Sequence, residues 1–572
     1  MTEEEMHFNL VDQPWMQVEC TDGTVDTVSL RDALSRASTI RGFAGELPQM
    51  SFTQIRLLLA VLYRAYGTAY DLTGLGVGDL IEMWRDIWQQ RAFDGEVLND
   101  YLAKYYDRFD LFDDAHPFYQ TASLQYEKGG ASPINIVMPD APKQDKTLFS
   151  MRSLAFADEL RFAEAARFLI LTQAFDVAGI KGAVVGNSQA KGGKVYAPKG
   201  LSGTGWCGNL GGTFLEGHTL FETLMLNWVL YSSDAHAGAL IGIADDLPAW
   251  ERDKVERDVV KRDPKGIVDM FTWQSRRIRL VRTEEGTGVC GAVLCYGDIT
   301  SPVEKAGFET MTPWKRSEAQ CKKLDLPYVP RMPKPHVAGR SLWRGLSSML
   351  AIEDDDTQRD DLRPEIVKWA ERLRFENMLP ADYPLAIHAQ GMEYGTQASV
   401  FTDSIDDFID MDALLLNHEA PATNSVLEVI GATEDAVRAF VRFSVEVLVS
   451  TGDRRRFDKF DDKAATGVKE DARSIAYDHL DGLFRRRIAA LVPDTDLLAY
   501  RASWEWEAKG VLLRLAHEQL QLSGALYFAG AEGRTAGLAF TRYQRALNKI
   551  FALADQEKAD VTEGKEGHNV DD

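Results

Sequence analysis

Residues 423–449 read TNSVLEVIGATEDAVRAFVRFSVEVLV, a long run without a single proline. Its apolar side chains recur at three- and four-residue intervals, the spacing that gathers them on one face of a helix. Amphipathic segments of the same kind occupy 403–416, 464–490, 495–522 and 535–554. Helices of this length joined by short polar links bury their apolar faces against one another. The stretch 403–556 is therefore predicted to be a C-terminal antiparallel four-helix bundle. After it, 557–572 is acidic and contains glycine, and is expected to be a disordered tail.

Upstream of the bundle the texture is mixed. Short strands are predicted over 6–18 and 24–30, around the turn signal Asp22-Gly23. Helical spacing of Ile55, Leu58, Leu59 and Leu62 predicts a helix over 51–66, and further helices are expected over 157–175 and 219–230. The runs 278–281 and 288–296 read as strands, and 341–351 and 364–374 as short helices around an acidic, solvated loop at 353–361. The fold class is α+β: a large irregular mixed α/β domain over 1–402, then the bundle.

Between two of these helices lies a glycine-rich stretch, 179–217, with Lys181, Lys191, Lys194 and Lys199 in it and no acid before Glu216. Glycine allows close backbone approach to a ligand, and the lysines supply positive charge. In a chain of net charge −23 this basic island points to an anionic partner. A surface insertion without a ligand is the alternative reading. The overall acidity argues against the chain coating nucleic acid by itself, because phosphate affinity comes mainly from Lys and Arg. A basic partner can supply that charge instead.

Several classes find no support. Five scattered cysteines do not make a disulfide framework, and no apolar run is long enough to span a membrane, so a cytoplasmic protein is expected. Gly192-Gly193-Lys194 lacks both the earlier glycine and the following Ser or Thr of a phosphate loop, having Ser188 and Val195 there. Cys290 and Cys295 are spaced too widely for a usual zinc hook and read as buried strand residues. No metal, no cofactor and no catalytic residue is predicted.

Five strings then point to a family. They are Phe8-Asn9-Leu10-Val11 with Pro14-Trp15, His116-Pro117-Phe118-Tyr119-Gln120, Pro248-Ala249-Trp250, Phe271-Thr272-Trp273-Gln274 and Gly395-Thr396-Gln397-Ala398-Ser399. In this order, with a helical bundle at the end, the chain resembles the CasA family, the large subunits of the type I-E CRISPR surveillance complex Cascade. The resemblance implies a non-enzymatic subunit that recognises the protospacer-adjacent motif (PAM) in double-stranded target DNA through the minor groove. It also implies that the subunit wedges the duplex open to start R-loop formation and helps recruit a helicase–nuclease. The implied partners are the other Cascade subunits and the crRNA, with no membrane. Base pairing to the guide then reads the sequence.

The resemblance assigns residues as well. Gln397, flanked by Thr396 and Ala398 on a β-hairpin, takes the place of the wedge, with Thr396 standing where the family pattern carries Asn. Lys305 takes the place of a lysine finger in the minor groove; a solvated surface lysine is its bland reading. Gly192, Gly193 and Lys194 are the equivalents of a short glycine loop at the same groove. The segment 132–148, with Asn135, Val137, Met138, Pro139 and Asp140 at its apex, corresponds to a loop near the crRNA handle, and its apolar residues are expected to be exposed. The basic clusters 454–456 and 485–487 are open to three readings: the displaced strand, a neighbouring subunit, or solvated faces with ion pairs. Rival functions are a purely structural scaffold and a phosphate-acting enzyme using the Gly/Lys stretch.

Overall fold

The structure is a computed structural model. It describes residues 7–72, 74–141, 158–197, 201, 203–232, 238–252, 256–355, 358–450, 465–522 and 535–554. The expected acidic tail, the cluster 454–456, residues 142–148 of the handle loop, and Lys199 lie outside the described residues. The chain forms two compact units. One comprises Met1–Arg340, Ile352–Leu379 and Leu385–Phe408, the other Ser341–Ala351, Pro380–Pro384 and Ile409–Asp572.

The first unit is built of helices and small sheets. Its longest helix, Gln49–Ala69, is apolar on nearly every side and is buried along most of its length. A helix apolar all round belongs in a core, and this one packs against the helices Gly95–Lys104, Phe162–Phe175 and Ile267–Phe271. Near the N-terminus, Met16–Cys20 pairs antiparallel with Val25–Val28 around Gly23, whose φ of +83° suits the turn, and Ile40–Phe43 closes a three-stranded sheet. Of the strand predicted over 6–18, only 16–18 is strand, as the start of Met16–Cys20. A second sheet pairs Arg276–Arg282 with Val289–Tyr296, and Ser132–Pro133 adds to its other side.

A third sheet joins Pro384–Tyr394, Phe401–Asp412 and Gly212–Glu216, with Pro384–Tyr394 in the centre. Here the helix expected over 403–416 is corrected. Polar Ser404, Asp406 and Asp410 alternate with the more buried Ile405, Ile409 and Met411, a period of two that fits a strand. Only Ala413–Leu416 is helical, as a single 3₁₀ turn. The loop expected at 353–361 contains a two-stranded pair, Glu353–Asp355 with Gln358–Asp360.

In the second unit four helices, Pro421–Ser450, Thr466–Ala489, Leu497–Leu522 and Ala536–Ile550, form the bundle, and the first touches the other three. Buried Phe443 stacks on Tyr543 at 4.9 Å, and the indole of Trp504 donates to the hydroxyl of Thr433 at 2.9 Å. Trp343 of Ser341–Ala351 joins this core: it is fully buried, stacks on Phe484 at 4.5 Å and donates to Asp481 at 2.9 Å. Truncating an aromatic ring at such a site costs about 3–5 kcal/mol. The cluster 485–487 is largely committed within the bundle: Arg485 pairs with Asp481 at 2.7 Å and Arg487 donates to Ser503 at 2.8 Å.

Candidate nucleic-acid interface

The turn between Pro384–Tyr394 and Phe401–Asp412 carries Thr396, Gln397 and Ala398. It is closed by the Gly395 N–H donating to the Val400 carbonyl at 2.9 Å and the Ala398 N–H donating to the Gly395 carbonyl at 2.8 Å. Gln397 and Ala398 have φ of +57° and +50°. Left-handed backbone at a non-glycine residue costs on the order of 1–2 kcal/mol, so the surroundings must hold this turn in shape. They do so from two sides. The Ala178 N–H donates to the Ala398 carbonyl at 2.7 Å, and the Tyr394 hydroxyl donates to the Phe175 carbonyl at 2.7 Å. Further down the hairpin, the buried Gln49 amide donates to the Gly391 carbonyl at 2.9 Å and the Ile405 carbonyl at 3.0 Å. The Gln397 side chain itself is exposed.

Residues 176–181, which receive this turn, are fixed by a buried charge cluster. Asp176 pairs with Lys181 at 2.5 Å and with Arg276, and all three side chains are buried. Burial opposes ionisation of Asp176, but Lys181 and Arg276 beside it hold its carboxyl below the ordinary value. Arg276 also donates to the carbonyls of Val177 at 3.1 Å and Gly203 at 2.8 Å. The Tyr296 hydroxyl donates to the carbonyls of Ala178 at 2.9 Å and Gly179 at 3.0 Å, and burial pushes that hydroxyl up to about 12.

The glycine-rich stretch is not one loop. Lys181–Gly182 pairs with Lys194–Val195, and Gly192 and Gly193 form a two-residue turn with φ of +58° and +73°. Left-handed backbone at both central residues is the hairpin turn that matches strand twist, which only glycine adopts without cost. Lys191, Gly192, Gly193 and Lys194 are all exposed, and Lys191 and Lys194 exchange backbone hydrogen bonds at 2.8 and 3.2 Å. Further along, a Cβ on Gly205 or Gly211 would meet backbone atoms at 2.3–2.4 Å, so those glycines serve close packing. The basic island is also reduced, because Lys181 is neutralised by Asp176.

Both elements share one foundation. Ala183, Val184 and Val195 of the glycine hairpin pack in a buried cluster with Tyr296, Val259 and Ile299. Val259 and Ile299 flank or belong to the parallel pair Val260–Lys261 with Asp298–Ile299, from which the chain runs on to Asp263 and Lys305. Lys305 is 8% exposed, with its Nζ 2.9 Å from Asp263 Oδ1. It therefore lies folded against an acid rather than extended. Its carbonyl accepts the N–H groups of Phe308 at 2.9 Å and Glu309 at 3.0 Å.

The handle loop differs from the exposed apolar apex expected. Val137 and Met138 are 2% and 0% exposed, while Asn135, Pro139 and Asp140 are half-buried. The reason is tertiary: Ser132–Pro133 pairs with Val289–Tyr296, and the 3₁₀ turn Ile134–Val137 packs on that strand and on Phe162–Phe175. The Thr172 hydroxyl donates to the Val137 carbonyl at 3.1 Å. Of the two strand cysteines, Cys295 is buried but Cys290 is exposed, because Cys290 sits at the register irregularity between Val289 and Gly291, near the start of a strand otherwise buried on both faces. Among the described residues no group of three His, Cys, Asp or Glu side chains is placed to hold a metal. No helix of the described residues is long and apolar enough to cross a membrane.

Three of the five strings, those at 116–120, 248–250 and 271–274, also converge. Phe118 stacks on Tyr119 at 4.4 Å, both stack on Trp250 at 6.3 Å, and with Gln120 and Gln274 they line a cavity of about 510 Å³. Residues that sequence reasoning missed are Asp176, Ala178, Arg276 and Tyr296. They come together from two widely separated parts of the chain, and no local pattern marks them.

Comparison with known proteins places this geometry in a family. The sequence pattern of CRISPR-associated protein Cse1 matches residues 9–515. The CRISPR-associated protein CasA/Cse1 of Thermus thermophilus is 31% identical over 349 residues, which span 60% of this chain and 60% of that relative's length. The crystal structure of Thermobifida fusca Cse1 superposes with a TM-score of 0.85 at 33% identity, covering 97% of this chain and 100% of that one. A chain of a CRISPR RNA-guided surveillance complex shares the fold alone, with a TM-score of 0.69 at 17% identity over 95% of this chain and 99% of that one. The chain belongs to the CRISPR-associated Cse1 family.

Proposed function

We propose that this chain is the non-catalytic large subunit of a type I-E RNA-guided surveillance complex, where it reads the motif beside a DNA target and starts opening the duplex. The observation that carries this reading is the braced turn at Gln397. An exposed side chain is held on strained left-handed backbone by hydrogen bonds to 175–178. A device that pushes between base pairs must resist a cost of a few kcal/mol per unstacked step, so its backbone has to be held from behind. The exposed Gly192-Gly193-Lys194 turn supplies backbone that can approach a groove closely, with a cation beside it. Lys305 supplies a second cation for the minor groove, whose degenerate pattern gives a relaxed motif rather than a strict sequence.

The chain's acidity fits a subunit that leaves most phosphate neutralisation to its partners. Among the described residues of the handle loop, the half-buried Asn135, Pro139 and Asp140 are the ones assigned to meet the crRNA end of the complex. Recruitment of the helicase–nuclease follows R-loop formation. The test is stopped-flow kinetics on linear duplex with the assembled complex. Gln397→Ala is expected to slow strand separation more than it weakens initial binding. Equal loss of both would remove the wedge from the account.

A further inference from the structure

Lys305 is an unusual groove reader in its resting state, because its ammonium is already occupied. The side chain is 11% exposed and its Nζ lies 2.9 Å from Asp263 Oδ1, whereas the Asp263 side chain is 74% exposed. Among the described residues Asp263 is the carboxylate paired with Lys305. Asp263 is held in turn by the Thr300 hydroxyl, which donates to the same oxygen at 3.0 Å. The hydrogen bond from Lys305 keeps the Asp263 carboxyl ionised below its ordinary value despite partial burial. The backbone before the lysine is constrained too. Glu304 has φ of +52°, and its carboxylate accepts the Arg331 N–H at 2.6 Å and the Arg331 guanidinium at 3.2 Å.

We propose that Asp263 is a specificity-determining residue: its carboxylate holds Lys305 until acceptor atoms of the DNA take its place. This rests on the reading of Lys305 as a groove contact. Engagement of DNA then exchanges one charge-assisted hydrogen bond for another rather than adding a new one. The exchange breaks even only where the groove presents acceptors to the ammonium. In the minor groove A·T pairs present only acceptors, whereas G·C pairs add the guanine amino donor, which cannot replace a carboxylate. A free lysine would gain from the phosphate potential on any sequence, so the intramolecular acid converts a general attraction into a selective one. Its exposed position also lets a nearing phosphate backbone repel it away from the lysine.

The test uses the complete complex with crRNA and short duplexes carrying preferred and non-preferred flanks. Asp263→Asn keeps the side-chain shape and an acceptor for Thr300 but removes the charge. It should tighten binding to non-preferred flanks by about twofold to fivefold, the range of one exposed ion pair, and narrow discrimination accordingly. The effect should vanish in a Lys305→Ala background and be absent in Glu285→Gln, which removes an exposed acid elsewhere. If Lys305→Ala weakens motif-dependent binding but Asp263→Asn leaves discrimination unchanged, the proposal is overturned and the Lys305 reading stands. A gain that persists without Lys305, or appears equally in Glu285→Gln, is general charge removal and also overturns it. If Lys305→Ala changes nothing, the underlying reading fails and the proposal with it.

Discussion

The backbone N–H of Ala178 donates to the carbonyl of Ala398 across 2.7 Å, tying the strained turn at Gln397 to the segment that opens the glycine-rich stretch. The same Ala178 offers its own carbonyl to Tyr296 at 2.9 Å, so the turn is fastened through one residue to the strand Val289–Tyr296. Ala178→Pro removes the donor. With one backbone hydrogen bond worth about 1 kcal/mol, amide exchange at Gly395 and Ala398 should speed by roughly fivefold. Unchanged protection would show that the hairpin holds the turn alone.

Gln397 allows shape and chemistry to be separated. Gln397→Gly relieves left-handed strain of about 1 kcal/mol and should leave stability equal or slightly raised, while abolishing the wedge. Gln397→Asn, better suited to that backbone but one methylene shorter, should keep partial strand opening. Denaturant midpoints and strand-separation rates, measured on the same variants, check both statements.

The charge cluster beneath the turn predicts a large penalty. Asp176→Asn leaves Lys181 and Arg276 buried without a counter-charge and should cost about 3–5 kcal/mol in unfolding free energy. Because the Asp176 carboxyl is held below its ordinary value in the fold, its stabilisation is present above pH ~4 and is lost as pH falls further. A urea midpoint within error of the parent's would contradict this.

His336 predicts a second acid sensitivity in a different window. Burial depresses its imidazole from near 6.5 to about 4, with its Nε2 3.0 Å from the Gly212 carbonyl. The unfolded chain protonates first as pH drops below 6.5, so stability should fall between pH 6.5 and 4, by about 2 kcal/mol at pH 5. His336→Gln should remove that share of the pH dependence, read from urea unfolding at pH 5 and 7.5.

Gly192 and Gly193 are open to solvent on the Cβ side but left-handed in backbone. Each Gly→Ala change is expected to cost about 1 kcal/mol at the turn without a clash. The double variant should loosen the Lys181–Gly182 pairing and weaken duplex binding by the complex. Limited proteolysis at 190–196 reports the first effect and equilibrium binding the second.

What can be read from sequence follows the range of the interactions involved. The bundle is legible because 423–449 repeats its apolar spacing over many turns, and the helix within Gln49–Ala69 because Ile55, Leu58, Leu59 and Leu62 recur at helical spacing. Phe401–Asp412 reads as helix because its acids and apolar residues alternate over too short a run to overrule the helices after it. Pairing with Pro384–Tyr394 decides its state. Burial of Val137 and Met138 depends on the distant strand Val289–Tyr296, and the partner of Lys305 lies well upstream at Asp263. At the candidate site the exposed turn residues stand out by composition. The brace behind Gln397, by contrast, is made of backbone groups and of Arg276 and Tyr296, which carry no local signature.

The central claim is that this chain makes target binding depend on the flanking motif. It is tested most directly by measuring duplex binding of a crRNA-loaded core complex with and without the chain, across flank variants. Adding the chain is expected to create motif-dependent binding without cleavage. Binding that is the same for every flank, with or without the chain, would contradict it.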